Sequence, residues 1–210
     1  MFRGVGVPAH TRVIASWRPV EPTWITPSRS ELADLHVLAF REYRDTGSAK
    51  AEAMGATAAW IRGGRNAPVT FREEQPVTKA LATAEMWAAV HVDTDDVPLE
   101  SFCRDLGVPY APAVATNPVW SLGVEEVLRW LTADPLERRR PPIPLPQRNP
   151  DGSVATAEEL YQQTMATQPH KNWGPEERRA LRNRTEVNAI RSERLAARIE
   201  ETLRRSRETA

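Results

Sequence analysis

The chain has 210 residues, 40% of them apolar and 27% charged, and its 28 basic and 28 acidic side chains give a formal net charge of zero. That length buries one good core, or a core plus an appendage, and the composition excludes a wholly disordered chain. The charge balance falls short of the cationic footprint of a dedicated DNA binder, and a single cysteine, Cys103, excludes an internal disulfide and a thiolate zinc site.

The balance is uneven along the chain. Residues 1 to 134 hold 13 basic and 17 acidic groups, while residues 135 to 210 hold 15 and 11. The C-terminal part is therefore suited to meet something acidic, the chain's own body included. No run approaches the ~18 apolar residues of a membrane span, and the start MFRGVGVPAHTRVIASW has no apolar signal core. A cytoplasmic location with no membrane contact is the expectation.

Residues 1 to 27 carry Pro8, Pro19, Pro22 and Pro27 around one short β-like run, Val13 to Trp17, and read as an irregular arm anchored by Trp17 and Trp24. Helical signals follow. Ser28 or Ser30 caps a helix with Leu32, Leu35 and Ala39 on one face, ending near Gly47. Ser48 starts the next, with Ala51, Met54, Ala58 and Ile61 in helical register and Gly63-Gly64 as its stop. Thr70 and Glu73 have the spacing of a capping box, Pro76 marks a kink or a fresh start, and Val77, Leu81, Ala84 and Ala88 then form a stripe.

The segment HVDTDD, residues 91 to 96, reads as a solvated loop whose last aspartate caps a helix at Pro98. Extended, it would turn His91, Asp93 and Asp95 to one side, but it lacks the glycine and spacing of a calcium loop, so no metal or other cofactor is expected. Leu99, Phe102, Cys103 and Leu106 make a short helix closed by Gly107, with Cys103 as inert packing. DLGVP could turn a helix-turn-helix, yet PYAPAVATNP beyond it has three prolines and cannot be a recognition helix. Asn117-Pro118 opens a fifth helix faced by Trp120, Val124, Val127 and Leu131.

The tract RRRPPIPLPQRNPDGS, residues 138 to 153, forces polyproline II geometry and reads as a stiff strap in which Ile143 and Leu145 lie on helices. Its R-x-x-P-x-x-P spacing, at Arg138, Pro141 and Pro144, is a common coincidence over so short a stretch. Thr156 and Glu159 form a second capping box, and Gly174-Pro175 starts a last helix that no proline or glycine interrupts. Trp173, just before it, is placed to pin that start to the body.

The expected fold is all-α: an irregular arm (1–27), a compact bundle of about five short helices (28–134), a proline-rich strap (135–153), and a C-terminal region (154–210) with one long charged helix. On that helix Leu195, Ile199 and Leu203 repeat every four residues with Leu181 on the same side, while Val187 and Ile190 lie well round the cylinder. A drifting apolar surface suits docking partly on the chain itself and partly on a partner better than a strict coiled coil. The functional expectation is a non-catalytic interaction or assembly protein that binds a protein partner, or itself, through Leu181, Val187, Ile190, Leu195, Ile199 and Leu203.

A nucleic-acid accessory role is the alternative, through Arg138, Arg139, Arg140, Arg178, Arg179, Arg182 and Arg184. Seven glutamates interleaved with ten arginines on the last helix weigh against it. No catalytic residue stands out. The four histidines are scattered, Glu73 and Glu74 diverge on a helix, and an enzyme would have to join distant groups such as His91, Asp93 and Glu73.

Overall fold

The computed structural model describes residues 22–73, 76–94, 97–133, 140–169 and 171–209. Among these the chain is all-α, with seven helices and no strand. Residues 1–21, including the β-like run and Trp17, lie outside the described residues.

Helix α1 (Arg29–Thr46) starts at Ser28, whose hydroxyl accepts from Glu31 N–H while the Glu31 carboxylate accepts from Ser28 N–H. It ends at Gly47, at φ 69°, a left-handed position that a side chain would strain. Helix α2 (Ala49–Ile61) is capped by Ser48 and buries eight of its 13 residues. Helices α3 (Lys79–Thr94), α4 (Leu99–Asp105) and α5 (Pro118–Thr132) complete the bundle.

These five helices share one core, in which Trp60, Leu32, Leu35, Ile61, Leu128 and Leu131 are almost wholly buried. Helices α2 and α5 approach closely. A Cβ on Gly123 would lie 2.5 Å from the Lys50 carbonyl and 3.0 Å from the Ala53 Cβ, so only glycine lets the two backbones meet. The N-terminal arm joins the bundle where Trp24 Nε1 donates to the Val77 carbonyl at 2.8 Å and Thr26 N–H to the Leu131 carbonyl at 3.1 Å.

Two expectations are corrected. Residues 91–94 are not loop but the last turn of α3, where Thr94 Oγ1 donates to the Val90 carbonyl. Pro98 itself is the N-cap of α4 and makes no side-chain cap; Asp95 and Asp96 are outside the described residues. Thr70 and Glu73 form no capping box, because no helix begins there: Thr70 turns inward to a buried carboxylate on α3, and Glu73 pairs with Arg65 at 3.1 Å.

The strap crosses the bundle as an extended segment, with Ile143 and Leu145 packed on the five-helix core and Pro146 buried. Arg148 fixes it. Its Nε and Nη2 donate to the two carboxylate oxygens of Asp34 at 2.6 and 3.0 Å, and Nη1 donates to the Gly152 carbonyl at 2.8 Å. Asp34 is buried in α1, and these hydrogen bonds hold the Arg148 guanidinium above its ordinary pKa.

Helix α6 (Ala157–Thr167) starts at the capping box of Thr156 and Glu159. Helix α7 (Pro175–Glu208) runs 34 residues, about 51 Å at 1.5 Å per residue. It lies against α6, where Ala155, Leu160 and Ala189 make a second small apolar cluster, and against α1. The strap also holds it, since Gln147 N–H donates to the buried Ser192 hydroxyl at 3.0 Å.

Removing Asp34 leaves the half-buried Arg148 guanidinium without its two acceptors, so Asp34→Ala is expected to cost about 2 kcal/mol in urea unfolding. The double variant Asp34→Ala with Arg148→Met should cost less than the sum of the singles. Additive losses would show that the fork is not coupled.

His36 on α1 faces Arg62, with 3.3 Å between Nη1 and Nδ1. Burial, aided by the Arg62 cation, lowers its pKa from 6.5 to about 4. Below pH 6.5 the unfolded chain takes up this proton while the folded chain does not until about pH 4. The contribution of His36 is thus fully present above pH 6.5 and is lost on acidification towards pH 4, by about 3 kcal/mol at most. His36→Asn should flatten that part of the stability curve relative to the parent protein.

Candidate functional site

On α7 one stripe is covered by the chain's own body: Leu181, Thr185, Ala189, Ser192, Ala196, Ile199 and Thr202. Most of it is small or hydroxyl-bearing, which lets the helix lie close to α1, α6 and the strap. Of the six sequence-predicted docking residues, Leu181 and Ile199 are therefore inside, and Leu195 and Leu203 are half-buried. Val187 and Ile190 stand in solvent, 65% and 50% exposed.

Of the seven arginines expected to meet nucleic acid, four lie on α7. Arg138 and Arg139 lie outside the described residues, and Arg140 is exposed. Arg178 Nε donates to the Trp173 carbonyl at 2.9 Å, and Arg182 sits 4.4 Å over the Tyr161 ring with Glu158 at 3.3 Å. Arg179 and Arg184 are exposed. Trp173 itself is half-buried with Lys171 Nζ 4.0 Å over its ring.

The most elaborated polar arrangement lies elsewhere, at the end of the bundle made by residues 67–72, residues 108–117 and the start of α5. Glu85 stands on the buried face of α3, fully inaccessible to solvent. Its Oε1 accepts from the N–H groups of Val69 at 2.5 Å and Thr70 at 2.9 Å, and its Oε2 accepts from the Thr70 hydroxyl at 2.7 Å. Arg72, also buried, brings its Nε to 4.0 Å from Oε2 and 3.0 Å from Thr70 Oγ1. Burial raises the Glu85 pKa, and the hydrogen bonds from Thr70 and Val69 and the Arg72 charge pull it back.

Around this carboxylate the chain closes a tight loop, with Ala67 N–H donating to the Arg72 carbonyl at 2.9 Å. The neighbouring segment is tied to it by Val114 and Ala115 N–H, both donating to the Val69 carbonyl, and by Arg72 Nη1 donating to the Pro109 carbonyl at 3.2 Å. Trp120 Nε1 adds a bond to the Pro68 carbonyl at 3.0 Å. Between the locked residues 70 and 72, Phe71 takes φ 56° and turns outward, 48% exposed.

A left-handed phenylalanine costs on the order of 1 kcal/mol, and such strain persists only where the surroundings fix it. Tyr110, Val114, Val119 and Leu122, each between 44% and 56% exposed, belong to the same three tied stretches. With Phe71 they are five of the seven large apolar side chains exposed among the described residues. Of the groups an enzyme reading would have to join, Glu73 is exposed and paired with Arg65, while His91 and Asp93 sit at the end of α3.

Sequence reasoning missed Glu85. Its signal was a lone carboxylate in the apolar run KALATAEMWAAV, on the same face as Leu81 and Ala88. Comparison with family models, with curated proteins and with solved structures finds no match.

Glu85→Ala would leave the Val69 and Thr70 N–H groups and the Thr70 hydroxyl buried without their acceptor, and the Arg72 guanidinium without its counter-charge. The expected loss is about 3 to 5 kcal/mol in urea unfolding. A loss under about 1 kcal/mol would mean that water replaces the carboxylate and that the loop does not depend on it.

Proposed function

We propose that the chain is a non-catalytic interaction protein that docks a protein partner on apolar side chains its own fold leaves open. The observation that carries this is Phe71, a strained aromatic side chain held outward by a buried hydrogen-bond network and accompanied by Tyr110, Val114, Val119 and Leu122. Rigid aromatic anchors amid apolar neighbours supply most of the binding energy in protein interfaces, because little side-chain entropy is lost on docking.

A second reading keeps to the C-terminal helix, and the exposure of Val187 and Ile190 favours it. The partner, or a second copy, would then meet the outer side of α7. Leu181 and Ile199 would act from beneath, by seating the helix on its body.

Photocrosslinking in the cells that make the protein separates the two. A benzoylphenylalanine at position 110 or 119 should give one discrete adduct, and Leu122→Glu should abolish it. A discrete adduct from position 187 alone moves the function to α7. Adducts no different from those at exposed Glu100, or none at any position, reject an interaction role for both surfaces.

A further inference from the structure

Between α1, the strap and α7 lies an open cleft of about 610 Å³, within the size range of small-molecule sites. Its floor is apolar, with Leu38 from α1, Ile143 and Pro144 from the strap and Leu195 from α7. Its α7 wall carries Arg191, Arg194 and Arg198.

These arginines are three and four residues apart, so they share one side of the helix within about 10.5 Å of axial length. Like charges at that spacing repel, and α7 does nothing to relieve it. Arg194 has Arg191 and Arg198 at helical spacing and no carboxylate. Glu201, three residues beyond Arg198, is taken by Arg41 at 2.9 Å and by Arg205. Among the described residues none of the three has an ion-pair or side-chain hydrogen-bond partner.

On the α1 wall, Asp45 is shared by Arg41 at 3.4 Å and Arg44 at 3.8 Å, and Glu42 is exposed. Four guanidinium groups face two carboxylates in the cleft, so its formal excess is positive.

We infer that this cleft is a binding site for a phosphate monoester that carries an apolar group, the phosphate held by Arg191, Arg194 and Arg198 and the apolar part laid on Leu38, Ile143 and Leu195. Guanidinium groups bind phosphate oxygens in bidentate fashion, and three cations on one wall match a dianion. The apolar floor explains why the ligand is an ester and not the free ion. This site is separate from the Phe71 surface and stands or falls without it.

Isothermal titration of the full chain with hexyl phosphate, inorganic phosphate and hexanol tests the assignment. Hexyl phosphate should bind more tightly than either fragment. Arg194→Ala should weaken it about tenfold or more, and Arg191→Ala with Arg194→Ala should remove it. Arg184→Ala, on the same helix but outside the cleft, should leave it unchanged.

Vesicles with and without phosphatidic acid distinguish the source of the ester. Arginine-dependent binding to them as well as to hexyl phosphate assigns a lipid headgroup, and binding to hexyl phosphate alone assigns a soluble ester. Failure of hexyl phosphate and of the vesicles to bind overturns the inference. So does an equal loss in Arg184→Ala and Arg194→Ala, which would reduce the effect to diffuse helix charge.

Discussion

One buried carboxylate decides the shape of an entire end of the molecule. Burying the charge of Glu85 is unfavourable. What it brings is acceptors. Away from its ends each helix satisfies its own N–H and C=O groups, so the faces of a helical bundle offer few spare backbone partners. The loop at 67–72 can therefore lie close on the bundle only if side chains meet its orphan N–H groups, and Glu85 meets two of them with one oxygen. The second oxygen fixes Thr70, Thr70 positions Arg72, and Arg72 reaches the Pro109 carbonyl. Phe71 is left no choice but to face outward.

The strap poses the same problem and meets it in the same way. Prolines deprive it of donors, so it cannot join a helix or a sheet. Beside the packing of Ile143 and Leu145, its polar attachments to the helices are Arg148 gripping Asp34 and one backbone donor to Ser192. Because Asp34 belongs to α1 and Ser192 to α7, the strap bridges these two helices. Its Ile143 and Pro144 line the cleft between them.

The sequence made the helices legible because local rules sufficed. Ser28, Ser48, Asn117 and Thr156 cap where hydroxyl or amide side chains precede apolar periodicity, and Gly174-Pro175 opens the last helix. Long-range polar pairs were not legible. Thr70 lies three residues from Glu73, and a capping box is the local reading; its true partner is Glu85, fifteen residues away on a helix that looks uniformly apolar. Arg148 and Asp34 are 114 residues apart with nothing in either neighbourhood to name the other. The covered side of α7 was obscured for a different reason. Thr185, Ser192 and Thr202 are polar by composition yet buried by position, so a search for leucines finds only part of the stripe.

The same helix shows why its arginines stay available. Arg184, Arg191, Arg198 and Arg205 recur every seven residues, and so do Glu186, Glu193 and Glu200. At about 100° per residue, the two rows run along opposite flanks of the covered stripe, where i,i+4 pairing between them is impossible. The arginine row lies beside α1, the chain's own acidic body being the expected recipient of this positive charge. But α1 brings its own cations: Arg41 and Arg44 already occupy Asp45, and Arg41 reaches across to take Glu201 from α7. Thus the contact that docks α7 on α1 engages Glu201, whose other partner is Arg205 at the end of the row, and brings no carboxylate to Arg191, Arg194 or Arg198. Docking leaves the middle of the row, Arg191 to Arg198, cationic and open to solvent at the mouth of the cleft.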